Sequence, residues 1–175
     1  MLSAEATDAA LPAEAMQRAE ADRSAARIDK WNSVMVLMQP MLLAAFVIAA
    51  DRCSKTAAGT LLGTGRVLSV GAGLRIRCVA TRFRNCGLLD SPGMLLLVWA
   101  ASLATVMLAT SSGYFFQRPA AQMGLAAAFA GSASNLHDRL RNGAVIDFLD
   151  LGWWPASNLA DVALVLGVAV ALRFL

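Results

Sequence analysis

Four apolar segments divide this chain, at about residues 31–50, 94–113, 120–137 and 159–175. A helix needs roughly 20 mostly apolar residues to cross the hydrocarbon core of a bilayer. The first, second and fourth segments approach that length. The first runs from Trp31 through Val34 to Ala50 and contains Pro40. In lipid, neighbouring helices can satisfy the carbonyl that a proline frees. The third segment is mostly Ala, Gly and Ser, which suits close contact between helices better than contact with lipid. Charged residues make up only 15% of the chain, against about 25% in a soluble domain. The expected surface is therefore covered by lipid. A secretory signal peptide ending near Ala49-Ala50 is the competing reading of the first segment. The polar stretch before it is too long for that, and three more apolar segments follow.

The connections are polar. Residues 1–30 are rich in Ala, Glu and Arg without a broad apolar face. They read as a polar helix or a loosely ordered tail in water, and Pro12 suits a helix's first turn. Residues 52–93 hold several glycines, then Leu74, Ile76 and Cys78 alternating with Arg75 and Arg77. That period of two predicts a half-exposed strand, so a small sheet is expected outside the bilayer. Arg118 and Pro119 mark a short turn between the second and third segments. Residues 138–158 join the third and fourth. The length of 175 residues fits one domain.

Ionisable groups narrow the functional classes. Beyond Lys30 there is no Glu, only Asp51, Asp90, Asp138, Asp147, Asp150 and Asp161. A carboxylate in or near a bilayer is costly, and its position usually reflects function. The net charge of +3 suits anionic lipid headgroups. The arginines are scattered and match no nucleic-acid motif, so no nucleic-acid partner is expected. One His, and Cys53, Cys78 and Cys86 without CxxC spacing, argue against zinc.

Asp51 and Lys55 are four residues apart on one helix face. They read first as an interfacial ion pair that ends the helix. Asn135, Asp138 and Arg139 share a face at the end of the third segment. Asp147 sits in Gly143-Ala-Val-Ile-Asp-Phe-Leu-Asp150, which is followed by Trp153 and Trp154. Such tryptophans favour the headgroup level. The segment is therefore expected to lie along the membrane surface, where partial desolvation would raise the pKa of Asp147. Asp161 lies in the apolar run Leu159-Ala-Asp-Val-Ala-Leu, three residues after Asn158. Turns at Gly152 and Pro155 allow Asp147 and Asp161 to face each other. Two carboxylates sharing one proton can activate water against a peptide carbonyl, without metal, cofactor or covalent intermediate.

The stretch from Ala130 to Gly167 resembles signal peptidase II, the bacterial lipoprotein signal peptidase. The resemblance is carried by Asn135-Leu-His-Asp-Arg139, Gly143-Ala-Val-Ile-Asp147-Phe, Gly152-Trp-Trp-Pro155 and Asn158-Leu-Ala-Asp161. Asp51-Arg-Cys-Ser-Lys55 and Asn85-Cys-Gly87 look like two further motifs of that family. The resemblance covers residues 31–175 and implies an all-α membrane peptidase domain: four transmembrane helices, a small extracytoplasmic β-cradle and a surface-lying helix at about 140–156. It implies Asp147 and Asp161 as the catalytic pair. Around them, Asp51, Lys55, Asn85, Gly87, Asn135, Asp138, Arg139 and Asn158 would support the site or bind substrate. The implied substrate is a diacylglyceryl-modified prolipoprotein, delivered by membrane lipid to a monomeric enzyme in the bacterial inner membrane. The implied orientation puts residues 1–30 in the cytoplasm and the site near the extracytoplasmic face. Counting charge alone gives six Lys or Arg on the side of the termini and nine opposite, which points weakly the other way. The chain departs from the family pattern in two places. Leu88-Leu-Asp90 follows Gly87 where small residues and a Phe are usual, and Gly131-Ser-Ala-Ser-Asn135 replaces a run richer in glycine. Two other readings are a silent or substrate-restricted relative and a small transporter subunit. Intact aspartates oppose the silent relative. Polar groups confined to one end of each segment oppose the transporter.

Overall fold

The computed structural model describes residues 13–63, 66–71, 73–81 and 91–175. The elements are α1 (Ala13–Leu62), β1 (Val67–Gly71), β2 (Leu74–Thr81), α2 (Pro92–Ser111), α3 (Pro119–Asn142), β3 (Val145–Asp150) and α4 (Leu159–Arg173). The chain falls into two units, Met1–Met38 and Gln39–Leu175. The first, from Ala13 on, is helical, and its described side chains between Met16 and Trp31 are exposed. Everything below concerns the second.

Local sequence sets the helix ends. α2 and α3 each open with a proline, Pro92 and Pro119. Proline lacks the N–H that would go unpaired in a first turn. α3 stops at Gly143, whose φ of 66° is left-handed and whose N–H bonds the Arg139 carbonyl at 3.0 Å. α4 opens on a reciprocal capping box. The Asn158 side chain accepts from the Asp161 N–H, and the Asp161 carboxylate accepts from the Asn158 N–H.

α3 and α4 touch through small residues. A Cβ added at Gly124 would lie 2.6 Å from the Gly167 carbonyl oxygen, and one at Gly167 would lie 2.5 Å from that of Gly124. A Cβ at Gly131 would collide with the Ala160 carbonyl oxygen. The backbones are therefore in direct contact, as small-residue helix pairs in lipid are.

The distribution of side chains is inverted relative to a water-soluble domain. The buried apolar residues are mainly alanines, among them Ala58, Ala121, Ala128, Ala130, Ala160 and Ala171. The buried polar ones include Asp51, Lys55, Asp138, Asp147 and Asn158. Large apolar side chains point outward: Met41 is 72% exposed, Phe46 69% and Leu108 71%. An exposed apolar surface of this kind fits lipid as the solvent.

The sheet is antiparallel in the order β1-β2-β3. β2 shows the expected alternation, with Leu74 and Ile76 half-buried and Arg75 and Arg77 exposed. Its pairing with β3 then slips. Ile76 faces Leu149, but Val79 faces Asp147, so β2 carries one extra residue there. Such a bulge moves the following side chains to the other face, and Val79 and Thr81 turn to the inner side.

Several expectations change. Residues 52–62 are not part of the sheet region but continue α1, because Asp51, Lys55, Ala58 and Leu62 form one buried helical stripe. The Asp51–Lys55 pair therefore does not end the helix. The core of the segment expected as a surface-lying helix is strand β3, paired antiparallel with β2. The molecule is thus helical with a three-stranded sheet, not all-α. Among the described residues one helix, α2, is long and apolar enough by itself to cross a membrane. α4 has 15 residues, or about 22 Å at the helical rise.

The glycine contacts generate a contrast measurable by thermal unfolding in detergent. Gly131→Val is expected to lower stability by about 1–3 kcal/mol through overpacking. Gly59→Ala, with nothing within 4 Å of the added Cβ, is expected to be neutral or to stabilise by up to about 1 kcal/mol through helix propensity.

Candidate active site

The ends of α1, α3 and α4 converge with β3 on one polar network, and Lys55 is its hub. The Lys55 Nζ contacts Asp51 Oδ2 at 2.6 Å and Asp138 Oδ2 at 2.7 Å, and donates to Asn135 Oδ1 at 2.9 Å. Arg52 Nη1 holds the other oxygen of Asp138 at 2.8 Å. Two carboxylates thus face two cations. Lys55 is 3% exposed, while Asp51 and Asp138 are fully buried. Buried ions are tolerated when paired and hydrogen-bonded on every side. Among the described residues, no buried side-chain nitrogen or oxygen lacks a partner.

Asp51 also organises α4. Its Oδ2 accepts from Ser134 Oγ at 2.6 Å, and its Oδ1 accepts from the Ala160 N–H at 3.0 Å. The first N–H groups of a helix have no internal partner and favour negative charge. Asp51 takes the one at Ala160, and Asn158 takes the one at Asp161. One carboxylate on α1 therefore fixes where α4 starts.

From this base the network reaches the two outer aspartates. Asn135 Nδ2 donates to Asp161 Oδ1 at 2.7 Å. Asn158 Nδ2 donates to Asp147 Oδ1 at 2.7 Å and to Asn135 Oδ1 at 3.2 Å. The Asn158 main-chain N–H holds Asp161 Oδ2 at 3.1 Å. Asn158 thus contacts both aspartates. The connection from β3 to α4 makes this possible by turning at Gly152 and returning along β3. Ser157 and Leu149 exchange main-chain hydrogen bonds at 2.8 and 2.9 Å.

β3 separates its two acids by an odd spacing, which puts them on opposite faces. Asp150 meets Arg77 at 2.7 Å. A hydrogen bond from the Gly152 N–H, helped by Arg77 and Arg75, holds its carboxyl below the usual range. Asp147 faces inward, with Asn158 and the Thr81 side chain as hydrogen-bond partners. Burial pushes its pKa up. The hydrogen bonds to Thr81 and Asn158 oppose this, the Asp161 charge adds to it, and Lys55 works against it.

Asp51, Lys55, Asn135, Asp138, Asp147, Asn158 and Asp161 are therefore brought together. Arg139 lines a cavity of about 350 Å³ between α2 and α3, whose wall includes Asn135 and Asp161. A second cavity, about 550 Å³, lies beside Trp153, Trp154, Pro155 and Val165, and Asp161 lines it too. Asn85 and Gly87 lie outside the described residues. Sequence reasoning missed Arg52, Ser134 and Thr81. Ser134 sits four residues before Asp138, on one helix face, and that spacing was a usable signal. Thr81 depends on the bulge, which leaves no local signature.

Comparison with known proteins bears directly on this arrangement. The family model for signal peptidase (SPase) II matches residues 43–175. The chain belongs to the signal peptidase II family. It is similar to the lipoprotein signal peptidase of Moorella thermoacetica, at 36% identity over 131 residues, covering 74% of this chain and 87% of that protein. It is also similar to the lipoprotein signal peptidase of Syntrophomonas wolfei, at 36% identity over 69% of this chain and 81% of that one. Among solved structures it resembles a bacterial membrane enzyme determined by the in meso method at 2.3 Å. That match has a TM-score of 0.62 and 26% identity, over 77% of this chain and 85% of that one. Signal peptidase II is a membrane peptidase of lipoprotein processing, and the network described here lies within the matched residues.

Two expectations concern Asp147. A carboxyl whose pKa is raised on folding opposes the folded state once ionised. The penalty is absent below the ordinary aspartate pKa of about 3.9 and grows as pH rises through the raised value. Asp147→Asn is therefore expected to raise the unfolding temperature at neutral pH, with the gain vanishing in acid. Thr81→Val removes a hydrogen bond that favours the ionised form. The Asp147 pKa is expected to rise further, so that the pH-dependent part of the unfolding temperature that Asp147→Asn abolishes moves to higher pH, and Thr81→Ser is expected to restore it.

Proposed function

We propose that this chain is an aspartic endopeptidase that cuts the signal peptide from diacylglyceryl-modified prolipoproteins, using Asp147 and Asp161. The observation that carries the reading is the shared contact with Asn158, which donates one hydrogen bond to each aspartate. Like charges in such a site favour one shared proton, so one carboxyl is an acid and the other a base. The base takes a proton from water as the oxygen attacks the peptide carbonyl. The acid donates to the carbonyl oxygen and, as the tetrahedral intermediate collapses, a proton passes to the leaving amine. Asn135, Asn158 and Thr81 hold the carboxylates in place. Burial raises the pKa of Asp147, the direction that holding a shared proton requires.

The rest of the reading follows from where this site lies. The apolar segments cross the bacterial inner membrane as four spans, and the sheet lies at the extracytoplasmic face with both termini in the cytoplasm. The domain takes residues 31–175, preceded by a cytoplasmic N-terminal stretch. The enzyme works as a monomer, with Asp51, Lys55, Asp138 and Arg139 supporting the pair and Asn85 and Gly87 in the cradle. Membrane lipid delivers the acylated substrate laterally, and the apolar cavity by Trp153 and Trp154 opens beside Asp161.

A gel-shift assay on a diacylglyceryl-modified prolipoprotein tests this. Wild type is expected to cleave it, and Asp147→Asn and Asp161→Asn are each expected to lose at least about 10³-fold in rate, as removal of a core catalytic group does. Asp150→Asn is expected to be much milder. Equal loss in all three would contradict the assignment.

A further inference from the structure

α2 is weakly held. None of its residues is buried. Among the described residues, a single side-chain hydrogen bond ties it to another element: Trp99 Nε1 donates to Ser132 Oγ at 2.9 Å. That bond has a fixed polarity. The Ser132 hydroxyl gives its own proton to the Phe129 carbonyl at 2.9 Å, which leaves a lone pair for the indole. The Trp99 ring also meets the Phe129 ring edge-on, with centroids 6.2 Å apart and planes at 82°. The indole is therefore held by its N–H and by a ring contact together.

The position of this latch gives it a consequence. Phe129, Ser132, Asn135, Leu136 and Arg139 follow the spacing of one face of α3. The same face thus carries the Trp99 contacts and Asn135, the donor to Asp161. Between α2 and α3, Trp99, Ser132, Arg139 and Asp161 line one cavity of about 350 Å³. Ser132 is one of the two serines by which the chain departs from the family's glycine-rich run.

We propose that Trp99, latched by Ser132, is a specificity-determining wall of this cavity and limits the size of the substrate side chain that enters beside Asp161. The inference rests on the peptidase reading. A rigid apolar wall can discriminate by about 10-fold or more for each methylene it excludes, but only while it is held. Loss of the latch lets the indole swing and widens the space.

The test uses the full chain in lipid and a panel of diacylglyceryl-modified substrates. These carry Gly, Ala, Val, Leu or Phe at one or the other of the two residues before the cleaved bond. Ser132→Ala, Trp99→Phe and their double variant are compared with wild type. Trp99→Phe keeps an aromatic ring but removes the N–H. At one position, each single variant is expected to raise the kcat/KM of the Leu and Phe substrates relative to Ala by about 10-fold or more. The double variant is expected to do no more than the singles, since both break one bond. The readout is a ratio, so a general loss of folded enzyme, which scales all substrates alike, does not imitate it. An active wild type with an unmoved ranking in all variants overturns the inference alone. A wild type that cleaves no member of the panel overturns the peptidase reading and the inference with it.

Discussion

A single buried ammonium holds the site together. Lys55 lies between Asp51 and Asp138 and also reaches Asn135. Remove its charge and buried Asp51 loses its cation, while Asp138 is left with Arg52 alone. Breaking a buried ion pair in this way costs about 3–5 kcal/mol. The dependence spreads outward by named bonds. Asp51 fixes the first turn of α4 through the Ala160 N–H, and so the place of Asp161. Asn135 passes the position of Lys55 on to Asp161 and Asn158. Asp138 is shared with Arg52, which binds the α3 carbonyl of Ser134 as well.

Lipid explains why this cluster can be the core. A water-soluble domain of this size would fold by burying Leu, Ile and Phe. Here most of those residues face outward, Leu62 and Phe148 excepted, and alanines, glycines and ionised groups fill most of the interior. With little hydrophobic drive between helices in lipid, close packing and hydrogen bonds carry the association. The glycine contacts of α3 and α4 supply the first, and the Lys55 network supplies the second. Near Asp161 the polar network opens to cavities on two sides, one apolar and one mixed. The proposed substrate, a peptide with an attached lipid, would need such different surroundings on the two sides of its scissile bond.

Much of this was legible in the sequence. The segments at 94–113, 120–137 and 159–175 fall on α2, α3 and α4 to within a few residues at most ends. The acids stood out because they are few and lie in apolar runs. What escaped depends on contacts far apart in the chain. Val145–Asp150 has no clean period, and its burial follows none, so it reads as strand only once β2 lies beside it. The bulge in β2 exists only relative to β3. Arg52 looks like a neighbour on another face of α1 until Asp138, 86 residues later, meets it. The extension of α1 to Leu62 was hidden by the polar look of Thr56 to Thr60, since its buried stripe needs only Lys55, Ala58 and Leu62.

Asp147 and Asp161 are proposed to work as one proton-sharing pair. The most direct measurement is the pH dependence of kcat/KM for cleavage of a diacylglyceryl-modified prolipoprotein by the full chain in lipid. A pair that must hold one proton between two carboxyls gives a bell. Activity is expected to fall in acid as both become protonated, and to fall on the basic side as both ionise. A profile with a single limb, or one flat across the carboxylate range, would contradict the shared proton and with it the assignment of the pair.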